Sequence, residues 1–176
     1  MVRTNHQWRT AGLCALISLC AALAAFCAPA QAQAGPGARM DRIERAITRE
    51  INKIRRQHGL PKVHSNRGLA RAANSHSADM LRANFFAHAS SNGMSMSERV
   101  RRFKRARRIG ENLAYVPTGS GGVRVARGVV TMWMNSPAHR NVILTPAWRR
   151  IGVARKRGAI GGLQANVFTA DFSTTR

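Results

Sequence analysis

The sequence predicts an α+β domain in which helices pack on a small antiparallel sheet. Three observations carry that prediction. Apolar residues recur at helical spacing through residues 43–81, strand-like runs close the chain, and one more strand and helix lie between them. Helices first, then a strand, a helix and a terminal hairpin is the order of an α+β fold rather than of alternating βα units.

Residues 39–58 place Ile43, Ala46, Ile47, Ile51 and Ile54 three to four positions apart, which predicts an amphipathic helix. Gly59 and Pro61 end it, one able to take positive φ and the other unable to continue a helix. A second helix starts at Ser65 or Asn66 as its cap, turns Leu69, Ala72, Ala73, His76, Met80 and Leu81 inward, and ends near Asn84. Residues 95–108 read as a short basic helix with Val100 and Phe103 inward. Residues 111–116 read as the first strand, 119–122 as a glycine turn, and 123–135 as a helix with Val125, Val129, Met132 and Trp133 on one side. Pro137 suits the first turn of a further helix that holds His139, because its missing N–H is not needed there. Two last strands, 150–155 and 164–172, pair through 156–162, whose three glycines suit a hairpin.

The N-terminal region has the marks of an export signal. Arg3 and Arg9 flank an uncharged Ala/Leu-rich stretch over 11–28, and small residues alternate to Ala34. Cleavage after Ala30, Ala32 or Ala34 fits, with Ala32 preferred; the alternative is an uncleaved anchor, since the run almost spans a bilayer. Residues 1–32 are therefore expected to be a signal peptide and 33–38 a disordered tail, ahead of a domain over 39–174. Cys14, Cys20 and Cys27 all fall in the signal, so the mature chain is expected to hold no disulfide and no thiolate. The 144 remaining residues make one domain with a sizeable core and no later transmembrane segment. The expected location is periplasmic or secreted.

The whole chain carries 29 Lys and Arg against 7 Asp and Glu. Such a field attracts polyanions over a Debye length of roughly 8 Å. Arg99, Arg101, Arg102, Lys104, Arg105, Arg107 and Arg108 concentrate it in one run. As a solvated face the run needs no ligand; as a site it would grip phosphates or carboxylates through the arginine fork. Nucleic acid is not the expected partner, because neither stacking aromatics nor a reading motif accompanies the run. For an exported protein, anionic envelope polymers and lipid head groups come first.

Three polar residues could carry chemistry: His88 after an aromatic pair, Glu111 after a glycine that lets backbones approach, and His139 just after Pro137. Two imidazoles and a carboxylate can bind Zn2+ or another divalent cation, leaving a fourth position for water or substrate. Equally, Glu111 can hydrogen-bond both imidazoles as a polar clamp with no metal and no turnover. A Ser–His mechanism has hydroxyls nearby in Ser90 and Ser136, but no nucleophile-elbow phrase. His76 is expected to be a hydrogen-bonded core residue, and His58 and His64 to meet solvent.

Phe85-Phe86-Ala87-His88, Gly110-Glu111-Asn112-Leu113-Ala114 and Ser136-Pro137-Ala138-His139-Arg140 resemble, in this order, the CAP superfamily of cysteine-rich secretory proteins, antigen 5 and pathogenesis-related 1. The resemblance is to the short bacterial form and runs from about Ile43 to Phe172, with Trp148-Arg149-Arg150-Ile151-Gly152-Val153 at the expected spacing. It implies a three-layer α-β-α sandwich whose His88, Glu111 and His139 line one cleft as metal-ligand or catalytic candidates. Two positions depart from the family pattern. Ser136 stands where a second glutamate normally follows the helix tryptophan by three residues, and Val142 where asparagine is usual. The first loss weakens metal binding and removes a general-base candidate. Several eukaryotic members bind sterols and other lipids, so a small lipid is one implied ligand. The expected function is an exported binding module acting through the cleft and the basic surface. The rival is a metal-dependent, protease-like hydrolase in the same cleft, and a third reading is an adhesin held by charge alone.

Overall fold

The computed structural model describes residues 41–119 and 123–174. The expected signal peptide, the 33–38 tail and residues 120–122 of the glycine turn lie outside the described residues.

Among the described residues nine elements follow one another: α1 (Arg42–Gln57), β1 (His64–Ser65), α2 (Arg67–Arg82), α3 (Met96–Arg101), β2 (Ile109–Pro117), α4 (Val123–Asn135), α5 (Pro137–Leu144), β3 (Arg150–Ile160) and β4 (Leu163–Ser173). Caps set the helix starts. Asp41 and Glu44 close a capping box on α1, Asn66 accepts from Leu69 N–H on α2, and Ser95 and Glu98 close a second box on α3. Pro137 occupies the first turn of α5, as expected.

The sheet runs β1-β3-β4-β2, antiparallel except for the short parallel pair β1–β3. That two-residue β1 is too short to leave a period in the sequence. The hairpin is longer than expected: most of 156–162 is strand, and the reversal is confined to Gly161 and Gly162, both at positive φ. The predicted helix over 95–108 stops at Arg101. Phe103 then folds back over the start of α2, where Arg71 stacks on its ring at 5.2 Å and the Phe103 carbonyl presses on Gly68. Both contacts require the chain to leave the helix.

Each face of the sheet carries its own helical layer, giving an α-β-α sandwich. Ala114, Val153, Phe168, Ala170 and Phe172 bury one face against Ile47 and Ile51 of α1, Val129 and Trp133 of α4, and Ile143 of α5. Leu113, Val167 and Ala165 turn the other face toward Met80 of α2. At Gly152 the second layer has no spacer, because an added Cβ there would lie 2.1 Å from Ala70 N and 2.2 Å from the Leu69 carbonyl carbon. Trp148 uses the same device at Gly110, where a Cβ would meet its ring at 2.8 Å.

Arg55 is a buried cation with no carboxylate paired to it among the described residues. Its guanidinium donates to the carbonyls of Pro61 (2.9 Å), Ile143 (2.6 Å), Thr145 (2.9 Å) and Trp148 (3.5 Å). Ile143 and Thr145 stand at the C-terminus of α5, whose orphan carbonyls and negative dipole end favour a positive charge. Burial lowers the Arg55 pKa and Arg149 adds to the shift.

Candidate functional site

Strand β2 is the edge of the sheet and carries the central acid. Glu111 points to the α2 side, fully buried, and both carboxylate oxygens are used. Oε1 accepts from His88 Nδ1 at 2.8 Å, and Oε2 accepts from the Arg99 guanidinium. Arg99 also donates to the His88 carbonyl (2.9 Å) and to Ser90 Oγ (3.2 Å), so it holds the loop that presents His88. The His88 side chain remains 58% exposed. With Nδ1 committed to Glu111, its Nε2 is the ring atom left for other partners.

The third expected residue approaches from the other layer. His139 lies in α5, and Asn112 Nδ2 donates to its carbonyl at 3.0 Å, fastening α5 to β2. Its ring makes no hydrogen bond among the described residues. It stands near enough to His88 for charge on that ring to disfavour its own. Thus His88 and Glu111 are joined directly, and His139 is a neighbour rather than a partner of the carboxylate.

Two expectations are corrected here. Arg99 is not part of an exposed anion-binding face: its side chain is 4% exposed and paired with Glu111. Met96, Arg99 and Val100 share one stripe of α3 at i, i+3 and i+4, and that stripe faces inward, with Arg99 and Val100 buried and Met96 packed against the Leu69–Val100 cluster. Arg101, Arg102, Arg105, Arg107 and Arg108 are exposed and Lys104 half-buried, so the remaining run is superficial. Nor do His88, Glu111 and His139 assemble as a three-ligand metal site. Glu111 has spent its oxygens on a cation and an imidazole, and among the described residues no group of three His, Cys, Asp or Glu side chains could hold a metal ion. An arginine bound to the carboxylate occupies the electrostatic role a cation would take.

Sequence reasoning missed one member of this cluster. Asp171 lies opposite Glu111 in the β2–β4 register, fully buried, and neither of its oxygens has a hydrogen-bond partner among the described residues. Burial, then the Glu111 charge, raise its pKa well above the ordinary value. Burial pushes Glu111 up as well, but the His88 hydrogen bond and the Arg99 charge outweigh it and hold Glu111 below the usual range. An aspartate inside the apolar run Val167 to Phe172 was the available signal. His76 is buried as expected, its Nε2 paired with the Ala87 carbonyl at 2.9 Å.

The pKa values of His88 and His139 are driven apart. The Glu111 hydrogen bond raises the His88 pKa above 6.5, although burial opposes it; burial first, and then His88, lower that of His139. A raised histidine stabilises the fold fully below its unfolded pKa and loses that contribution as pH rises through the folded value; a depressed one does the reverse. NMR titration should therefore give a His88 midpoint above 6.5 and a His139 midpoint below it. Coincident midpoints would contradict the geometry.

The family model described as "Cysteine-rich secretory protein family" (CAP) matches residues 48–172. The chain belongs to the CAP family. Its three cysteines, Cys14, Cys20 and Cys27, precede the matched residues, so this CAP domain is built without a disulfide. The uncharacterized membrane protein YlbC of Bacillus subtilis is 33% identical over 118 residues, which are 65% of this chain and 32% of YlbC. The chain thus spans about a third of that relative's length. Among solved structures, an outer surface protein from Borrelia burgdorferi superposes with a TM-score of 0.65 at 19% identity, covering 80% of this chain and 100% of that one. An extracellular SCP-domain protein from Bacillus anthracis gives a TM-score of 0.60 at 29% identity, covering 76% of this chain and 40% of its own. The CAP fold is common to these proteins; no helix of the described residues is long and apolar enough to cross a membrane.

Proposed function

We propose that this CAP-domain protein is exported and acts as a binding module, with an anionic envelope polymer or lipid head group as its ligand. The observation that carries the reading is the state of Glu111. A carboxylate locked between His88 and Arg99 orients a loop and does not activate water, so the cluster is built to hold a surface. Beside it, Arg101, Arg102, Arg105, Arg107 and Arg108 are exposed, and Arg108 extends over the Trp148 ring at 5.8 Å. The extracellular and outer-surface relatives support export. Binding of the pure protein to anionic vesicles and to envelope polymer extracts, measured against salt, tests it. Affinity should fall steeply with ionic strength; salt-independent binding, or none, overturns the reading.

A second reading, hydrolysis without a metal, is favoured by one observation. His88 is exposed and has its Nδ1 oriented by a carboxylate, which is the base-plus-orienter half of a triad. Ser90, the nearest hydroxyl in sequence, is instead bound to Arg99. Turnover of peptide, ester or glycan pools that disappears in His88→Ala would establish it, and no turnover would remove it.

A further inference from the structure

We infer that the outer face of α1 is a binding ridge for a linear acidic glycan, a chain carrying one carboxylate or sulfate per sugar. This deepens the proposed function, on which it rests, by naming a polymer class and a surface away from the His88–Glu111 cluster.

Arg42, Arg45, Arg49, Lys53 and Arg56 are all exposed, and they follow one another at intervals of three, four, four and three residues. At 3.6 residues per turn these positions fall within an arc of about 80°, and at 1.5 Å per residue they run for about 21 Å. Ile47 and Ile51 occupy the opposite side and are fully buried, so the stripe cannot rotate inward. Arg42, Arg49, Lys53 and Arg56 make no ion pair among the described residues.

The arrangement works against the helix that carries it. Arg45 and Arg49, then Arg49 and Lys53, are like charges at i and i+4, a spacing that destabilises helices. Arg42 and Arg45 stand at the positive end of the helix dipole. Three arginines elsewhere are paired, Arg155 with Asp41, Arg82 with Asp79 and Arg99 with Glu111, and none of these acids pairs with Arg42, Arg49, Lys53 or Arg56. Nothing in the packing of α1 needs Arg42, Arg49, Lys53 and Arg56 on one exposed stripe, and an anionic partner outside the chain would complement them.

The ridge also has a floor. Asn52 is clamped to the Val63 backbone by two hydrogen bonds, at 2.9 and 2.8 Å, which fixes the following segment against the helix. Arg49, Lys53, Arg56 and Lys62 then line a shallow concavity of about 430 Å³, with Glu50 and Asn52 on its wall. The character of the face selects the partner. The large exposed hydrophobics, Phe86, Tyr115, Val123, Met132 and Leu163, stand on other segments, so α1 presents nothing to insert into a bilayer. It equally offers no ring on which bases could stack. A straight row of cations advancing about 4.5–6 Å at each step, by helical rise, complements a flexible chain with regularly repeated acidic groups.

The test is calorimetry on the full chain with two probes, a heparin-derived oligosaccharide and an oligogalacturonate. R49Q/K53Q/R56Q is compared with R124Q/R127Q/R157Q, which removes the same charge from other exposed positions; circular dichroism and thermal melting confirm that both remain folded. The stripe variant should bind roughly tenfold or more weakly, and the charge-matched variant less than about twofold. R49K/R56K should retain most of the affinity. Equal losses in the two Gln variants would reduce the effect to net charge and overturn the ridge. No binding of either oligosaccharide, or stripe-dependent binding only to duplex DNA or anionic vesicles, would overturn it too. Losses confined to R105Q/R107Q/R108Q would reject the ridge while leaving the broader binding reading in place.

Discussion

Glu111→Leu should be the most damaging substitution at the site, lowering unfolding free energy by about 3–5 kcal/mol. The change leaves the Arg99 charge inside the protein without its partner, against a total stability of only about 5–15 kcal/mol. Asp171 modifies the outcome. Burial still raises its pKa, but with the neighbouring negative charge gone ionisation toward Arg99 costs less and recovers part of the loss. Glu111→Leu/Asp171→Asn should therefore be less stable than Glu111→Leu alone, by chemical denaturation at neutral pH. Because Glu111 is held below its ordinary value of 4.5, its contribution is present above that pH and fades as pH falls through the folded value. The gap between wild type and Glu111→Leu should narrow in acid, and the His88 midpoint should fall in the variant. A stability equal to wild type at pH 7 would mean that the carboxylate does not balance Arg99.

Gly152→Ala should be comparably severe for a steric reason. The new methyl would sit 2.1 Å from a backbone nitrogen and 2.2 Å from a backbone carbon of α2, neither of which can swing away as a side chain can. Helix α2 must lift from β3, at a cost at or above the usual upper end for overpacking, about 3 kcal/mol. The melting temperature should drop by about 10 °C. Gly128→Ala makes the internal control. Gly128 lies on the exposed side of α4, and a methyl added there would meet nothing within 4 Å, so the substitution should stabilise by about 0.5–1 kcal/mol through helix propensity. Equal effects at the two glycines would refute the close-approach argument.

The longer helices were legible from their apolar periods, and α1, α2 and α3 also begin at side-chain caps. Val123–Asn135 was readable to the residue, and Asp41, Asn66 and Ser95 mark starts that hydrogen-bond as caps should. Strand β1 was not legible, since two residues held by parallel pairing to β3 have no local signature. The end of α3 was hidden for the same reason: Phe103 leaves the helix to meet Arg71, a contact set by tertiary packing. At the site, the family phrases located His88, Glu111 and His139, yet the charge balance depended on Arg99 and Asp171. Both were visible only as polar residues at positions whose neighbours point inward. Counting basic residues along the run assigned Arg99 to the surface; following its helical phase would have buried it.

The Arg55 clamp bears on when this molecule can take shape. Its acceptors at Ile143, Thr145 and Trp148 lie 88 to 93 positions further along the polypeptide. Until that later stretch has emerged, helix α1 carries a cation that has only the Pro61 carbonyl and water to solvate it, and burying it early would be unfavourable. Helix α1 is therefore among the last elements to settle, although it is synthesised before the segment that receives its cation. Fragments that end before Ile143 should remain open and protease-sensitive, with the N-terminal helix waiting for the C-terminal half to supply its oxygen atoms.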